Sequence, residues 1–553
     1  MIFDFHYHLL FKHFISRDQA LPIHENMKVK KIAALLNDLF GGPFDSQSSP
    51  TIVSQSPLQI GVVALLALEH AFTREVLQVF GIDLSKGLPV DWDMFERIKT
   101  GETDYYTEFK KQADFYLTHQ KALEQNPFNI YFLTRKQCTG MQAAEIKQVL
   151  QTAGKRFMCF SIEGGHNLSN APIKQEGASS DSPELQLKEI QEHSKLDFIS
   201  LNLCHLSEIP EQLLGGFAQG LTSQAQIAFK SDDFIPKNGF GLSALGKKVV
   251  KQALTHSSHP ILIDVKHMSI YTRLDYYKYR KALIKTNSEV SRLPIISSHT
   301  GFVFLSLKKL LDNKLFLSET STDNGISHSQ IKTLNQLIGE TEKGFINEKL
   351  YSNPWSINLY DEDIEAIFES RGMIGISLDQ RILGASKMLM DGNRKAYFDA
   401  ESISFKEWEK LFREGQFPIS EEEEARAIAP SREERHIMLL CTHIVYAVRM
   451  GYEKMAWSND ESPWNHICIG SDYDGLINPI NGYNTMSDLK KLEAQLRRYL
   501  PVADNHLKIK TNRKAFEYDT NGKIKSTSLE AGIQKFLFTN GLNFITRFLK
   551  NWN

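Results

Sequence analysis

The sequence predicts an α/β fold in which repeated strand–helix units close into a (β/α)8 TIM barrel carrying large helical and loop insertions. Three observations lead there. Short apolar runs recur along the whole chain, and they are continuous rather than alternating, as expected of strands buried on both faces of a parallel sheet. Stretches with helical spacing lie between them, and repeated βα units build either such a barrel or a doubly wound sheet. Ionisable residues recur at the C-terminal ends of the runs, where the βα loops of a TIM barrel assemble an active site. With 553 residues the chain can enclose one large core, and we read residues 1–553 as a single barrel domain.

Taken in order, the runs are Ile2–Phe5, Phe157–Ile162, Phe198–Leu203, Ile261–Val265, Pro294–Ser298, Met373–Leu378 and His466–Gly470, and Gly61–Leu68 is a candidate for one more. Helical candidates are Ser243–Thr255, Asp361–Ser370, Arg432–Arg449 and Ser487–Leu500. Polar, loop-rich segments at about 10–55, 95–130, 303–357 and 385–430 read as insertions. The last holds the acidic run Glu421–Glu424, which we read as the solvated start of a helix. Neither a short-period repeat nor a low-complexity tract is present, which removes solenoids and propellers.

Composition narrows the function. Hydrophobic residues make up 42% and charged residues 24%, a balance that excludes a largely disordered chain. The net charge of −2 lacks the basic excess of a nucleic-acid binder. The longest apolar run, Ile60–Leu68, is too short to span a bilayer. The opening Met1-Ile2-Phe3-Asp4-Phe5-His6-Tyr7-His8 has no charged, apolar and small-residue regions of a signal peptide. Five cysteines, an odd number with no CxxC pair, suit reduced thiols. A cytoplasmic protein without a membrane span or a nucleic-acid partner is expected.

The chemistry gathers at the run ends. The first ends in His6-Tyr7-His8; residues two apart on a strand share a side, so both imidazoles can face one metal. Another ends in Glu163-Gly164-Gly165-His166, where a carboxylate can bridge two cations while the glycines turn the backbone sharply away. His205, His267 and His299 each follow a run at the same point of the βα unit. A lone histidine there is more often a core residue than a ligand. Three of them, with an HxH pair and a Glu, are hard to reach by chance. The final run gives Asp472-Tyr473-Asp474-Gly475, where one Asp can serve as ligand and proton acceptor and the other can cap the turn. His24, His119, His193, His328 and His506 fall in helices or loops without this placement, and His256, His259, His436 and His443 lie near helices. The signal is positional.

The pieces SIEGGH (161–166), LNLCH (201–205), GLSALGKKVV (241–250), IDVKHMS (263–269), ISSHTGF (296–302) and GSDYDG (470–475) resemble the membrane dipeptidase family, also called renal dipeptidase or peptidase family M19, within the amidohydrolase superfamily. Asn543-Phe544 looks like that family's closing segment, and the resemblance runs in order from residue 1 to about 548. It implies a (β/α)8 barrel with two zinc ions. His6 and His8 would hold one, His267 and His299 the other, and Glu163 would bridge them. His205 would polarise the scissile carbonyl or stabilise the tetrahedral intermediate, and Asp472 would be the acid/base, with Asp474 as the alternative. A pair of dications lowers the pKa of a shared water, and the resulting hydroxide would attack the carbonyl of a dipeptide or similar small amide. Many relatives pair into homodimers, although nothing in the sequence marks an interface.

Two departures stand out. The family usually has His-x-Asp on its first strand, whereas this chain has His6-x-His8, one negative charge fewer at the metals. The Arg that family dipeptidases carry before the sixth-unit helix, suited to a substrate carboxylate, is absent from Trp355-Ser356-Ile357-Asn358-Leu359. Arg381 is the candidate replacement for substrate binding. Without that Arg, N-acyl amino acids, cyclic amides or lactones become alternative substrates. A reading of another class is a silent barrel whose insertions mediate binding; the complete donor set counts against it. Lys266 lies beside His267, but strand alternation would point the two to opposite sides, so Glu163 rather than a carboxylated lysine is the expected bridge.

Overall fold

The computed structural model describes residues 1–16, 21–29, 37, 42, 44–73, 78–79, 82–83, 90–173, 182–209, 213–221, 232–323, 326–333, 337–340, 349–385, 400–413, 432–458 and 461–552. The acidic run Glu421–Glu424 lies outside the described residues.

Eight parallel strands form the centre: β1 (Ile2–Tyr7), β2 (Leu58–Leu65), β3 (Arg156–Ile162), β4 (Phe198–Asn202), β5 (Leu262–Asp264), β6 (Ile296–Thr300), β7 (Met373–Ile376) and β8 (Ile467–Ile469). Each pairs with the next in sequence, and β8 pairs with β1, with Asp4 opposite Ile469. That last pairing closes the ring and decides for the barrel over the doubly wound sheet. A short strand, Ile130–Phe132, adds parallel to the start of β3. The eight strands coincide with the eight apolar runs of the sequence, shifted by a few residues at their ends. Every residue of β1 and β2 is buried, as continuous apolar runs demand.

The outer layer consists chiefly of α1 (Tyr105–Leu123), α2 (Pro183–His193), α3 (Ala244–Thr255), α4 (Ile270–Thr286), α5 (Asp361–Glu369), α6 (Arg432–Lys454), α7 (Leu492–His506) and α8 (Asn540–Leu549). Their starts are set by local chemistry. The side chains of Asp104, Ser243 and Ser269 accept hydrogen bonds from the exposed N–H groups of the first turns of α1, α3 and α4. The candidate helix Ser487–Leu500 begins instead as a 3₁₀ turn, Met486–Lys491, and continues as α7 to His506.

The described parts of the insertions at 10–55, 95–130 and 303–357 carry regular elements and contacts to the barrel, and most of 385–430 lies outside the described residues. The segment at 95–130 is dominated by α1, which buries Tyr105, Phe109, Phe115 and Tyr116 against the barrel. Within 303–357, Phe316–Asp323 and Ile326–Thr333 pair antiparallel, and Glu401–Ile403 adds to them. In 10–55, Gln47 and Ser48 reach the rim of the barrel, as described below.

At the opposite end, α8 seals the floor. Phe544 meets the Phe5 ring edge-on at 5.3 Å, and Asn540 Nδ2 donates to the carbonyls of Trp464 and Ile467. Gly541 permits this approach, because a Cβ there would lie 1.9 Å from Cγ of the buried Phe3. Replacing an exposed helical Gly with Ala gains up to about 1 kcal/mol. Gly541→Ala should instead lose about 1–3 kcal/mol through overpacking, read as a lower denaturant midpoint.

Candidate metal centre

The upper rim gathers the side chains singled out in the sequence. On β1, alternation points Asp4, His6 and the adjoining His8 to one side. Asp4 sits lowest: one oxygen accepts from the His6 and Ser471 N–H groups, joining β1 to the loop after β8. Burial pushes the Asp4 carboxyl up to about 6 against these hydrogen bonds. Glu163 directly follows β3, and the chain then turns through Gly164 at φ 92°, where a Cβ would lie 2.3 Å from the His166 ring. His299 lies within β6 with Nδ1 hydrogen-bonded to Ser298 Oγ at 2.8 Å. His267 and Asp472 lie just past β5 and β8 with left-handed backbones, φ 69° and 64°.

Glu163 is the centre of this group. One carboxylate oxygen lies 3.2 Å from His6 Nε2, and the other lies 3.2 Å from His8 Nε2. His205, His267 and His299 direct their Nε2 atoms to the first oxygen at 3.5, 3.5 and 3.7 Å. Asp472 stands 3.8 Å from His6 and 3.7 Å from His8, and 4.0 Å from His299. Two sets of donor atoms result: His6, His8, Glu163 and Asp472, and Glu163, His267 and His299, each gathered within 4.8 Å. Glu163 belongs to both.

Glu163, His267 and His299 are held in the protonation states that a cation needs. Burial would raise the Glu163 carboxyl, but His6, His205 and His8 outweigh it and hold it well below the usual range. Burial keeps His267 and His299 well below the usual imidazole value, in the neutral form that ligates metals. Their Nε2 atoms face each other at 3.1 Å. Burial also depresses His8, yet the Glu163 and Asp472 carboxylates overcome it and carry it up to about 9. Nε2 of His6 and one Glu163 oxygen are buried without a hydrogen-bond partner among the described residues. Buried polar atoms are ordinarily satisfied, so these orphans, with mixed imidazole and carboxylate chemistry, fit a zinc-like dication in each set.

The donors open onto a cleft of about 620 Å³ including its mouth. Phe11, Leu66, Leu68, Phe72, Leu206 and Ile357 supply apolar walls; Lys266, Asp379 and Arg381 add charge. Arg381 lines the cleft as expected, but its Nε and Nη2 grip Asp379 at 2.9 and 2.5 Å. From the stretch 355–359, Ile357 alone lines the cleft, so this wall is apolar.

The structure separates the two aspartates. Asp472 lines the cleft. Asp474 accepts from the backbone N–H groups of Gln47 and Ser48 and from Ser48 Oγ, each at 2.9 Å, with Lys12 3.8 Å away. It anchors the segment at 10–55 to the rim. One expectation is corrected: Lys266 and His267 do line the same cleft. β5 ends at Asp264 and His267 is left-handed, so strand alternation no longer applies where the two side chains diverge from the sheet. Sequence reading missed Glu69, fully buried in the loop after β2, with one oxygen 3.2 Å from His205 Nδ1 and the other accepting from the Ser207 N–H. Its signal was its place at the end of the Gly61–Leu68 run. His443, set aside as a helix residue, is a buried core group that accepts from the Phe302 N–H.

The fold and rim thus define a (β/α)8 barrel whose mouth carries two metal-competent donor sets sharing one carboxylate. No protein-family model matches the chain, and no curated protein matches it. Among solved structures it is similar to a dipeptidase described as a metallopeptidase of family M19 (TM-score 0.46, 13% identity, covering 99% of this chain and 97% of that one). It is also similar to a metallopeptidase from Rhodobacter sphaeroides bound to a phosphinate mimic of the dipeptide L-Ala-D-Ala (0.44, 14%, 99% and 99%). A third is the probable dipeptidase PvdM from Pseudomonas aeruginosa (0.44, 12%, 100% and 94%). Identities this low leave the chemistry to be argued from this chain's own residues.

The contrast between the aspartates is testable on metal-stripped protein. Asp474→Ala removes three donors' acceptor and leaves Lys12 buried, and should cost about 3 kcal/mol or more. Asp472→Asn, at a left-handed position that Asn tolerates, should change the unfolding midpoint little.

Proposed function

We propose that this chain is a metal-dependent hydrolase of dipeptides or similar small amides, with a binuclear centre for which zinc is the expected metal. The observation that carries the reading is Glu163, whose two oxygens are shared between one imidazole pair on β1 and another beyond β5 and on β6. His6, His8, Glu163 and Asp472 would hold one ion, and Glu163, His267 and His299 the other. When bound, such ions supply Lewis acidity, lowering the pKa of a water and polarising a carbonyl oxygen.

The protein's own groups do the rest. Asp472, at the cleft edge of the first donor set, takes a proton from the attacking water and returns it to the leaving nitrogen. His205 turns Nε2 toward the donors while Glu69 holds Nδ1. That fixes the ring so its Nε2–H can donate to the developing oxyanion. Arg381, steadied by Asp379, offers a cation to a substrate carboxylate. The apolar walls exclude water from one side of the scissile bond.

The apolar Ile357 wall favours a second reading on the same scaffold, with N-acyl amino acids, cyclic amides or lactones as substrates. The free, buried cysteines suit a reducing compartment. Among the described residues, no helix is long and apolar enough to cross a membrane.

Metal quantification followed by a panel of dipeptides, N-acyl amino acids and lactones on one zinc-supplied preparation tests the proposal. Protein that retains no metal and turns over none of these would refute it. Asp472→Asn should reduce turnover by about 10²–10⁴-fold while metal content stays near the wild-type level, and His267→Ala should lower the metal content itself. Glu69→Gln should reduce turnover about tenfold or more with metal retained. In a His205→Ala background the same change should have no further effect, because Glu69 acts through that ring.

A further inference from the structure

Lys266 is buried to 2% exposure and lines the cleft beside the donor sets. Its backbone N–H donates to Asp264, but its ammonium nitrogen is buried with no hydrogen-bond partner among the described residues. An isolated buried cation is among the costliest arrangements a fold can keep. Four carboxylates act on it through space, those of Asp472, Asp379, Asp264 and Glu163, yet each has closer commitments. Glu163 and Asp472 serve the histidines, Asp379 is held by Arg381, and one Asp264 oxygen accepts from the Lys266 and Ser298 N–H groups, while its other oxygen makes no hydrogen bond to the Lys266 ammonium or to any other described residue. An ammonium kept without a contact partner, inside a cleft and beside reactive groups, is placed to receive an anion from outside.

We propose that Lys266 is the anion-binding group of the substrate cleft, its ammonium taking a free carboxylate of the substrate while an apolar substituent lies against Leu66, Leu68, Phe72, Leu206 and Ile357. The inference rests on the hydrolase reading above and narrows it: the preferred amide carries a carboxylate next to an apolar group. Lys266 rather than Arg381 is the principal grip, because the Arg381 fork is already engaged by Asp379.

Binding of N-acetylphenylalanine and of its neutral carboxamide to the full-length protein, measured by calorimetry, tests this directly. The wild type should bind the carboxylate at least tenfold more tightly, and Lys266→Met should abolish the preference. In the same variant, an apolar chain of similar length replaces an unpaired charge, so its melting temperature should equal or exceed that of the wild type. Equal binding of both probes by the wild type, a preference that survives in Lys266→Met, or a clearly lowered melting temperature, which would mark Lys266 as a structural counter-charge, each overturns the proposal. A carboxylate preference without hydrolysis of any amide would instead sink the hydrolase reading and leave the anion site standing.

Discussion

The burial of the Glu163 carboxylate among five imidazoles is the constraint on which the rest of the rim depends. A lone carboxylate at this depth would be neutralised or expelled, since removing a charge from water costs several kcal/mol even after relaxation. It persists here because His6, His8, His205, His267 and His299 all direct Nε2 toward it within 3.7 Å. These histidines come from three strands or their ends, β1, β5 and β6, and from the loop after β4, and Glu163 itself follows β3. Each strand must therefore deliver its last residues to within a few tenths of an ångström, and barrel closure through β8 and β1 is what fixes them.

That delivery requires departures from regular backbone. His267, Asp472 and Asp474 all adopt left-handed conformations just beyond the ends of their strands, which costs non-glycine residues of order 1–3 kcal/mol each. Hydrogen bonds hold the turns in place: the Asp472 N–H donates to the His6 carbonyl, and the Asp474 carboxylate receives three donors from the 10–55 segment. A loop that reads as a polar insertion is in this way part of what holds Asp472, two residues away, against the histidines.

This division explains what was legible in the sequence. Barrel strands buried on both faces leave continuous apolar runs, so all eight could be located, and residues at their ends share a rim whatever the intervening lengths. The convergence of His6, His8, Glu163, His267, His299 and Asp472 followed from that rule. What sequence could not settle lies where regular geometry stops. Asp472 and Asp474 share a motif, and what distinguishes them is tertiary: Asp472 faces the histidines of the cleft, while Asp474 is taken up by Gln47 and Ser48. Lys266 was misplaced because strand alternation was carried past the last strand residue. The paired strands Phe316–Asp323 and Ile326–Thr333 escape a sequence reading because their residues are mostly polar.

The HxH pair has a consequence for the charge of the centre. In the two donor sets, two carboxylates stand with four imidazoles, and His267 and His299 are held neutral by burial. A set with a second imidazole in place of a carboxylate neutralises less of a dication's charge. Such a set would hold an ion less tightly and leave more of its field for a substrate. Besides Glu163, Asp472 is the carboxylate that stands within 4 Å of Nε2 of both His6 and His8, so the residue proposed to carry the proton also brings negative charge to this donor set. Burial already raises its pKa. A carboxylate so placed is a stronger base than one in water, which is what the proposed proton transfer asks of it.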